Sequence, residues 1–190
     1  YKGGRTVEGH VLNWIVFLPT LGALLCLLVP GRRVKVVAVA TTALTLLLSL
    51  TLFQYFAWWG DAALANVEGA YGEGLYEITR LSWITVGQFH IEYFIGIDGL
   101  SFPFLVLTTI ISFLACVASW NIEDWSIKRG IRAYFVLFLL LETGMLGVFV
   151  ALDFFLFYVF WEVMLLPMYF LIGLWGGPRR EYAAIKFFLY

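Results

Sequence analysis

Charge is what this chain of 190 residues has least of. Asp, Glu, Lys and Arg together make up 13% of it, about half the share found in soluble domains. Cations and acids nearly cancel, leaving a formal net charge of −1. No basic patch or tail is present, so nucleic-acid binding has nothing to rest on. Histidine is nearly missing. His10 and His90 both fall outside the long apolar runs, and no pair is placed to ligate a buried haem. Cysteine is as sparse: Cys26 and Cys116 each sit inside an apolar run, far apart. Without a CxxC or a Cys–His spacing, no zinc or iron–sulfur site is expected, and both thiols are expected to pack as small hydrophobes. The sequence also lacks a P-loop and a GxGxxG, so nucleotide chemistry and a resident cofactor are not expected in this chain. Linkers, low-complexity tracts and internal repeats are missing too. The chain starts at Tyr1 rather than Met and stops at Tyr190 inside an apolar run, which predicts a fragment. Residues 11–29 read poorly as a signal peptide, because Glu8 precedes the run and no small-residue cleavage site follows before Arg32.

What fills the chain is apolar surface. It is 62% hydrophobic and 19% aromatic, with a mean hydropathy of +0.90. The apolar residues gather into runs near the roughly 20 residues that cross a bilayer. Spans are predicted at 11–29, with a kink at Pro19; at 36–59; at 100–120, with Pro103 in the first turn; at 133–152; and at 154–175. A sixth begins near Tyr182. The fold class is therefore an all-α polytopic membrane bundle of five helices plus the start of a sixth. Residues 60–99 form the long connection. Its second half, "LSWITVGQFHIEYFIGIDG", alternates aromatic and β-branched residues around Val86-Gly87 and predicts a short β-hairpin. Asp98 or Ser101 would cap the next helix. The chain divides into an outer segment 1–10, helices one and two over 11–59, the loop 60–99, and helices three to six over 100–190.

Lysine and arginine set the orientation. If the helices alternate, eight cations (Arg32, Arg33, Lys35, Lys128, Arg129, Arg132, Arg179 and Arg180) share one side, against Lys2, Arg5 and Arg80 on the other. The N-terminus and the 60–99 connection should therefore face outward.

Three charges fall inside apolar runs: Glu142, Glu162 and Lys186. A charge at the bilayer centre costs roughly 2.5–3.5 kcal/mol even on the lenient insertion scale, and such groups normally face a bundle interior or a water path. Glu142 lies eleven residues before Asp153 and Glu162 nine after it, so both should sit roughly 14–16 Å below that turn. The short turn makes their helices antiparallel neighbours, and the two carboxylates would share one depth. Mutual repulsion and low dielectric then disfavour charge on both. Pro167 removes the partner of the Val163 carbonyl beside Glu162, and carbonyl plus carboxylate could hold water. Lys186 is expected roughly 10 Å from Glu162 in depth. The plainer alternatives are an interhelical hydrogen-bonding role for Glu142 beside Gly144 and Gly147, and a snorkelling Lys186. The aromatic stripe from Phe154 to Trp161 reads as packing and lipid-facing surface, and Asp153 as a solvated helix cap.

The stretches "DFFLFYVFWEVMLLPMYFLIGLWGG", "REYAAIKFFLY", "IGIDGLSFP" and "GMLGVFVALD" resemble the subunit M (chain 4) family of proton-pumping NADH–quinone oxidoreductase, respiratory complex I, over roughly residues 11–190. The W-E-x-M-L-x-P-M segment is the most specific part. The resemblance implies an antiporter-like fold of fourteen helices in two inverted five-helix bundles, each with a half-channel. It implies that Glu162 is the acidic member of a glutamate–lysine pair whose lysine lies on a later broken helix. Lys186 matches the lysine of the family's "KFF" motif, and Glu142 carries no role over from the family. Flavin and iron–sulfur clusters would belong to partner subunits, and this chain would be the translocating part of the enzyme. A bacterial inner membrane is the expected location, with an organellar membrane as the alternative. Two other functions compete: a subunit of a multi-subunit cation/proton antiporter, and a non-conducting structural spacer.

Overall fold

The computed structural model describes residues 10–31, 33–54, 75–86, 89–122 and 130–189. Helix α1 spans Val11–Leu28, α2 Arg33–Thr51 with a 3-10 turn Leu52–Gln54, α3 Ser101–Ala118 with a 3-10 turn Ser119–Asn121, α4 Ile131–Val150, α5 Phe154–Trp175 and α6 Arg180–Leu189. Strands β1, Tyr76–Val86, and β2, Phe89–Ile97, pair antiparallel between α2 and α3. The first five helices are long and apolar enough to cross a membrane, and the chain is an integral membrane protein. The predicted bundle and hairpin are thus both present. The predicted residues 60–74 of the connection, Gly87 at the hairpin turn, and Lys2, Arg5, Arg32, Lys128 and Arg129 lie outside the described residues.

Local chemistry places the boundaries. Asp153 caps α5, its carboxylate accepting the Leu156 N–H at 3.0 Å. Asp98 does the same for α3, accepting from Ser101 N–H at 2.6 Å and Leu100 N–H at 3.2 Å, while Ser101 Oγ accepts the Asp98 N–H in return. The Ser101 N–H beside it holds the Asp98 carboxyl below its ordinary value. Pro19 and Pro167 both stay inside single helices. Helix α2 begins earlier than predicted and takes Lys35 into its first turn. The reason is a partner: Lys35 Nζ donates to the Trp120 carbonyl at the end of α3, 2.7 Å away, and carries a positive charge to a helix C-terminus.

Helices α1 to α4 pack on one another, α5 lies against α4, and α6 lies against α5. At one end the hairpin sits over the bundle. Tyr93 Oη donates to Asn13 Oδ1 at 2.7 Å, Asn13 Nδ2 donates to Thr79 Oγ1 at 2.9 Å, and Leu152 N–H bonds the Phe94 carbonyl at 2.9 Å. The hairpin is therefore tied to α1 and to the α4–α5 turn. Among the described residues Arg80 is a hairpin cation, paired with Glu92, whereas Arg33, Lys35, Arg132, Arg179 and Arg180 belong to helix termini at the opposite end.

The apolar core is split. Near the hairpin Leu12, Ile15, Leu105, Leu146, Val150 and Phe160 belong to one cluster. At the far end Ala23, Cys26, Val34, Cys116, Phe135 and Leu139 form another. Between them lie buried Thr42, Thr45, Thr109, Ser112, Glu142 and Thr143.

Candidate functional site

The α4–α5 crossing fixes where the two carboxylates stand. A Cβ added to Gly144 would lie 2.8 Å from the backbone N and Cα of Met164, and one added to Gly147 would run into the Phe160 ring. These contacts show which faces meet: Gly144 and Gly147 on α4, Phe160 and Met164 on α5. Glu142 is two residues from Gly144, and Glu162 is two residues from both Phe160 and Met164. Two residues are about 200° of helix, so both carboxylates sit on the sides facing away from the crossing.

This corrects the expectation of neighbouring carboxylates. Pairing Gly144 with Met164 and Gly147 with Phe160 puts Glu162 about 5–6 Å nearer the Asp153 turn than Glu142. With axes about 8–10 Å apart and Cα atoms about 2.3 Å from each axis, the two Cα atoms are separated by roughly 13 Å or more. Side-chain period, invisible when only depth is counted, moved them apart.

Their surroundings differ accordingly. Glu142 is fully buried, at 0% exposure, and neither carboxylate oxygen has a hydrogen-bond partner among the described residues. Glu162 is exposed on the described chain, and the Tyr158 hydroxyl one turn earlier hydrogen-bonds it. Around it Tyr158, Trp161, Val163 and Leu166 are exposed as well. Of the five span-length helices α5 is the least covered, with 17% of its apolar window buried against 33–44% in the others.

Lys186 stands on α6. Gly173 faces the Ala184 Cβ, and the Tyr169 and Phe188 rings meet edge-on, which places Lys186 level with Leu171. That is nine residues, about 13 Å along α5, from Glu162. The expected separation of roughly 10 Å thus lengthens. The Lys186 ammonium lies 5.9 Å from the Tyr182 ring centroid.

The hydroxyl layer around Glu142 was not singled out in the sequence. Its signal was there: Thr41, Thr42, Thr45 and Ser49 recur at helical spacing in α2 and mark one face.

Comparison with known proteins gives these positions a family. Residues 78–148 match the family model for NADH-ubiquinone oxidoreductase chain 4, amino terminus. Residues 151–190 match that for NADH:quinone oxidoreductase/Mrp antiporter, TM. The chain is 37% identical to NADH-quinone oxidoreductase subunit M of Rhodobacter capsulatus over 188 residues, covering 95% of this chain and 33% of that protein. It is 38% identical to an NAD(P)H-quinone oxidoreductase chain 4 of a Synechococcus species, covering 98% of this chain and 32% of the relative. The chain thus spans about a third of the length of these relatives. Its fold is similar to that of a chain in the membrane-bound sulfane sulfur reductase, an archaeal respiratory membrane complex, with a TM-score of 0.67 and 19% identity over 95% of this chain and 25% of the other. The two family models, lying end to end across the hairpin and helices α3 to α6, and the relatives matched along nearly the whole chain agree: this chain belongs to the subunit M (chain 4) family of NADH–quinone oxidoreductase, an antiporter-like group of membrane subunits.

Proposed function

We propose that the chain is part of a proton-translocating membrane subunit of NADH–quinone oxidoreductase. In this reading, electron transfer from NADH to quinone takes place in partner subunits that carry flavin and iron–sulfur clusters, and this chain helps move protons through a half-channel. The observation that carries it is Glu162, an intramembrane carboxylate in the W-E-x-M-L-x-P-M segment, in a chain with 37% identity to a subunit M. Glu162 stands on the uncovered face of α5, where its charge can be balanced by a lysine from elsewhere in a longer chain. A change in that pairing switches its proton affinity, and one pKa unit corresponds to about 1.4 kcal/mol. Lys186, about 13 Å away along the helix pair, communicates with Glu162 through water rather than by direct contact. Glu142 is a further group on the proton path. The outward placement of the hairpin and N-terminus follows from the cations at the other end, and a bacterial inner membrane is the location this reading favours.

Glu162→Gln in the full-length subunit tests it. The expected result is an assembled complex that reduces quinone without coupled proton pumping. Full pumping in that variant would refute the role. The family description that includes Mrp antiporters favours one second reading, a cation/proton antiporter subunit. It predicts copurification with small hydrophobic partners alone and sodium exchange without redox input.

A further inference from the structure

The polar layer between the two apolar clusters contains a single carboxylate among the described residues, and that carboxylate faces away from Glu162. Glu142 is walled toward the hairpin by the cluster of Leu12, Leu105 and Leu146, and toward the far end by that of Phe135, Leu139 and Cys116. Both carboxylate oxygens are buried without a hydrogen-bond partner among the described residues. An ionised carboxylate held so, with no cation beside it, costs far more than a neutral acid. Among the described residues the titratable groups facing it are few. On α3 the Cys116 thiol hydrogen-bonds Thr42 and lies within electrostatic reach of Glu142 and of Cys26 on α1. On α2 the ammonium of Lys35 is committed to the Trp120 carbonyl at the helix end. On α5 Glu162 points the other way.

The buried hydroxyls of the same layer suit a group that gives and takes a proton. Thr41, Thr42, Thr45 and Thr109 each donate to a carbonyl of their own helix, at 2.8–3.1 Å. Thr42 is also bonded to Cys116 and Thr109 to Ser49 at 2.8 Å, so among the described residues the Thr41 and Thr45 oxygens are the ones left to accept. A protonated carboxyl needs such an acceptor, and water can bridge where the reach is longer.

The layer also has an approach. Thr143, the next residue to Glu142, hydrogen-bonds Thr20 of α1 at 2.8 Å. Both hydroxyl-bearing residues line a groove of about 590 Å³ beside Phe17, Trp83, Phe160 and Val163. The Thr20–Thr143 pair therefore lies at that groove, one residue along α4 from the buried carboxylate.

We propose that Glu142 is the proton-binding group of a second, occluded site inside the α1–α4 core, separate from Glu162 and reached through the Thr20–Thr143 hydroxyl pair. The proposal rests on the proton-translocating reading but not on the role of Glu162. The site takes a proton from water in the groove, holds it on a neutral carboxyl between two apolar plugs, and returns it when the helices part.

Infrared difference spectroscopy on the intact membrane complex, with pH steps, reads the carbonyl stretch of protonated carboxyl groups directly. The expected result is a band at neutral pH that is lost in Glu142→Gln, shifted in Glu142→Asp, and slowed in its response to a pH step in Thr143→Val. Protons pumped per quinone reduced should fall in Glu142→Gln and persist in Glu142→Asp. An unchanged set of carboxyl bands in Glu142→Gln would overturn the proposal, as would full pumping in that variant. If Glu142→Gln does not assemble, Glu142→Asp decides: a shifted band supports the site, and an unshifted one sinks it. Loss of pumping in Glu162→Gln with the Glu142 band intact separates the two sites. Full pumping in Glu162→Gln would defeat the Glu162 reading and leave this one standing.

Discussion

Gly144→Ala tests the helix crossing on which both carboxylate positions depend. The added Cβ would lie 2.8 Å from Met164 N and Cα, whereas ordinary contacts at a Cβ begin near 3.4 Å. Helices α4 and α5 must part by about 0.6 Å or more, because the clash is with backbone and no rotamer relieves it. Overpacking of this kind costs about 1–3 kcal/mol, and alanine returns about 1 kcal/mol of helix propensity over glycine. The net expectation is a loss of about 0–2 kcal/mol, its upper part a factor of about 5–30 in the folded population. Gly147→Ala meets the Phe160 ring instead, a side chain that can be shortened. Thermal inactivation of the solubilised complex should therefore show rescue of Gly147→Ala by Phe160→Leu, a coupling of the kind expected between touching residues. It should show no rescue of Gly144→Ala by Met164→Ala, since the backbone stays. If Met164→Ala did restore Gly144→Ala, or if Gly144→Ala were more stable than the native chain, the deduced faces would be wrong. Glu142 and Glu162 would then not point apart.

Three other outcomes are expected. Asp98→Ala should lower stability by about 1 kcal/mol through loss of the helix cap. Because the folded carboxyl titrates below its ordinary value, the native cap contributes fully above that value and is lost as pH falls through the lower one; the protection of the Leu100 and Ser101 amides, taken relative to their intrinsic exchange rates, should fall in acid and not in base. Tyr93→Phe leaves Asn13 Oδ1 without its 2.7 Å donor and should cost about 1–3 kcal/mol, read as faster exchange across the hairpin. In the native chain burial pushes the Tyr93 phenol up to about 12, so its phenolate absorbance should emerge only near that pH. Lys35→Met keeps the apolar stem and removes the bond to the Trp120 carbonyl, with an expected loss of about 1.5–3 kcal/mol in thermal stability; an unchanged midpoint would refute the helix-end role.

Much of the architecture was legible in the sequence because hydropathy acts locally. A run such as Phe154–Trp175 has to bury its backbone polar groups in its own hydrogen bonds whatever surrounds it. The hairpin followed from alternation around Val86-Gly87, and the caps from Asp98 and Asp153 standing before apolar runs. Lys35 escaped, since its partner, the Trp120 carbonyl, is 85 residues away. The pairing of Glu142 with Glu162 failed for a related reason. Depth is additive along a helix and can be counted, but direction depends on which face meets the neighbour.

The sequence alone determined that this is a membrane bundle, where its spans run, which family it resembles and which charges lie within the bilayer. Those follow from composition, period and motif, properties of single segments. Only the tertiary structure decided that Glu142 is enclosed with hydroxyls and Glu162 left on an open face. Burial is a property of pairs of helices: Gly144 and Gly147 let α5 approach on one side of α4, and whatever stands opposite them is turned into the core.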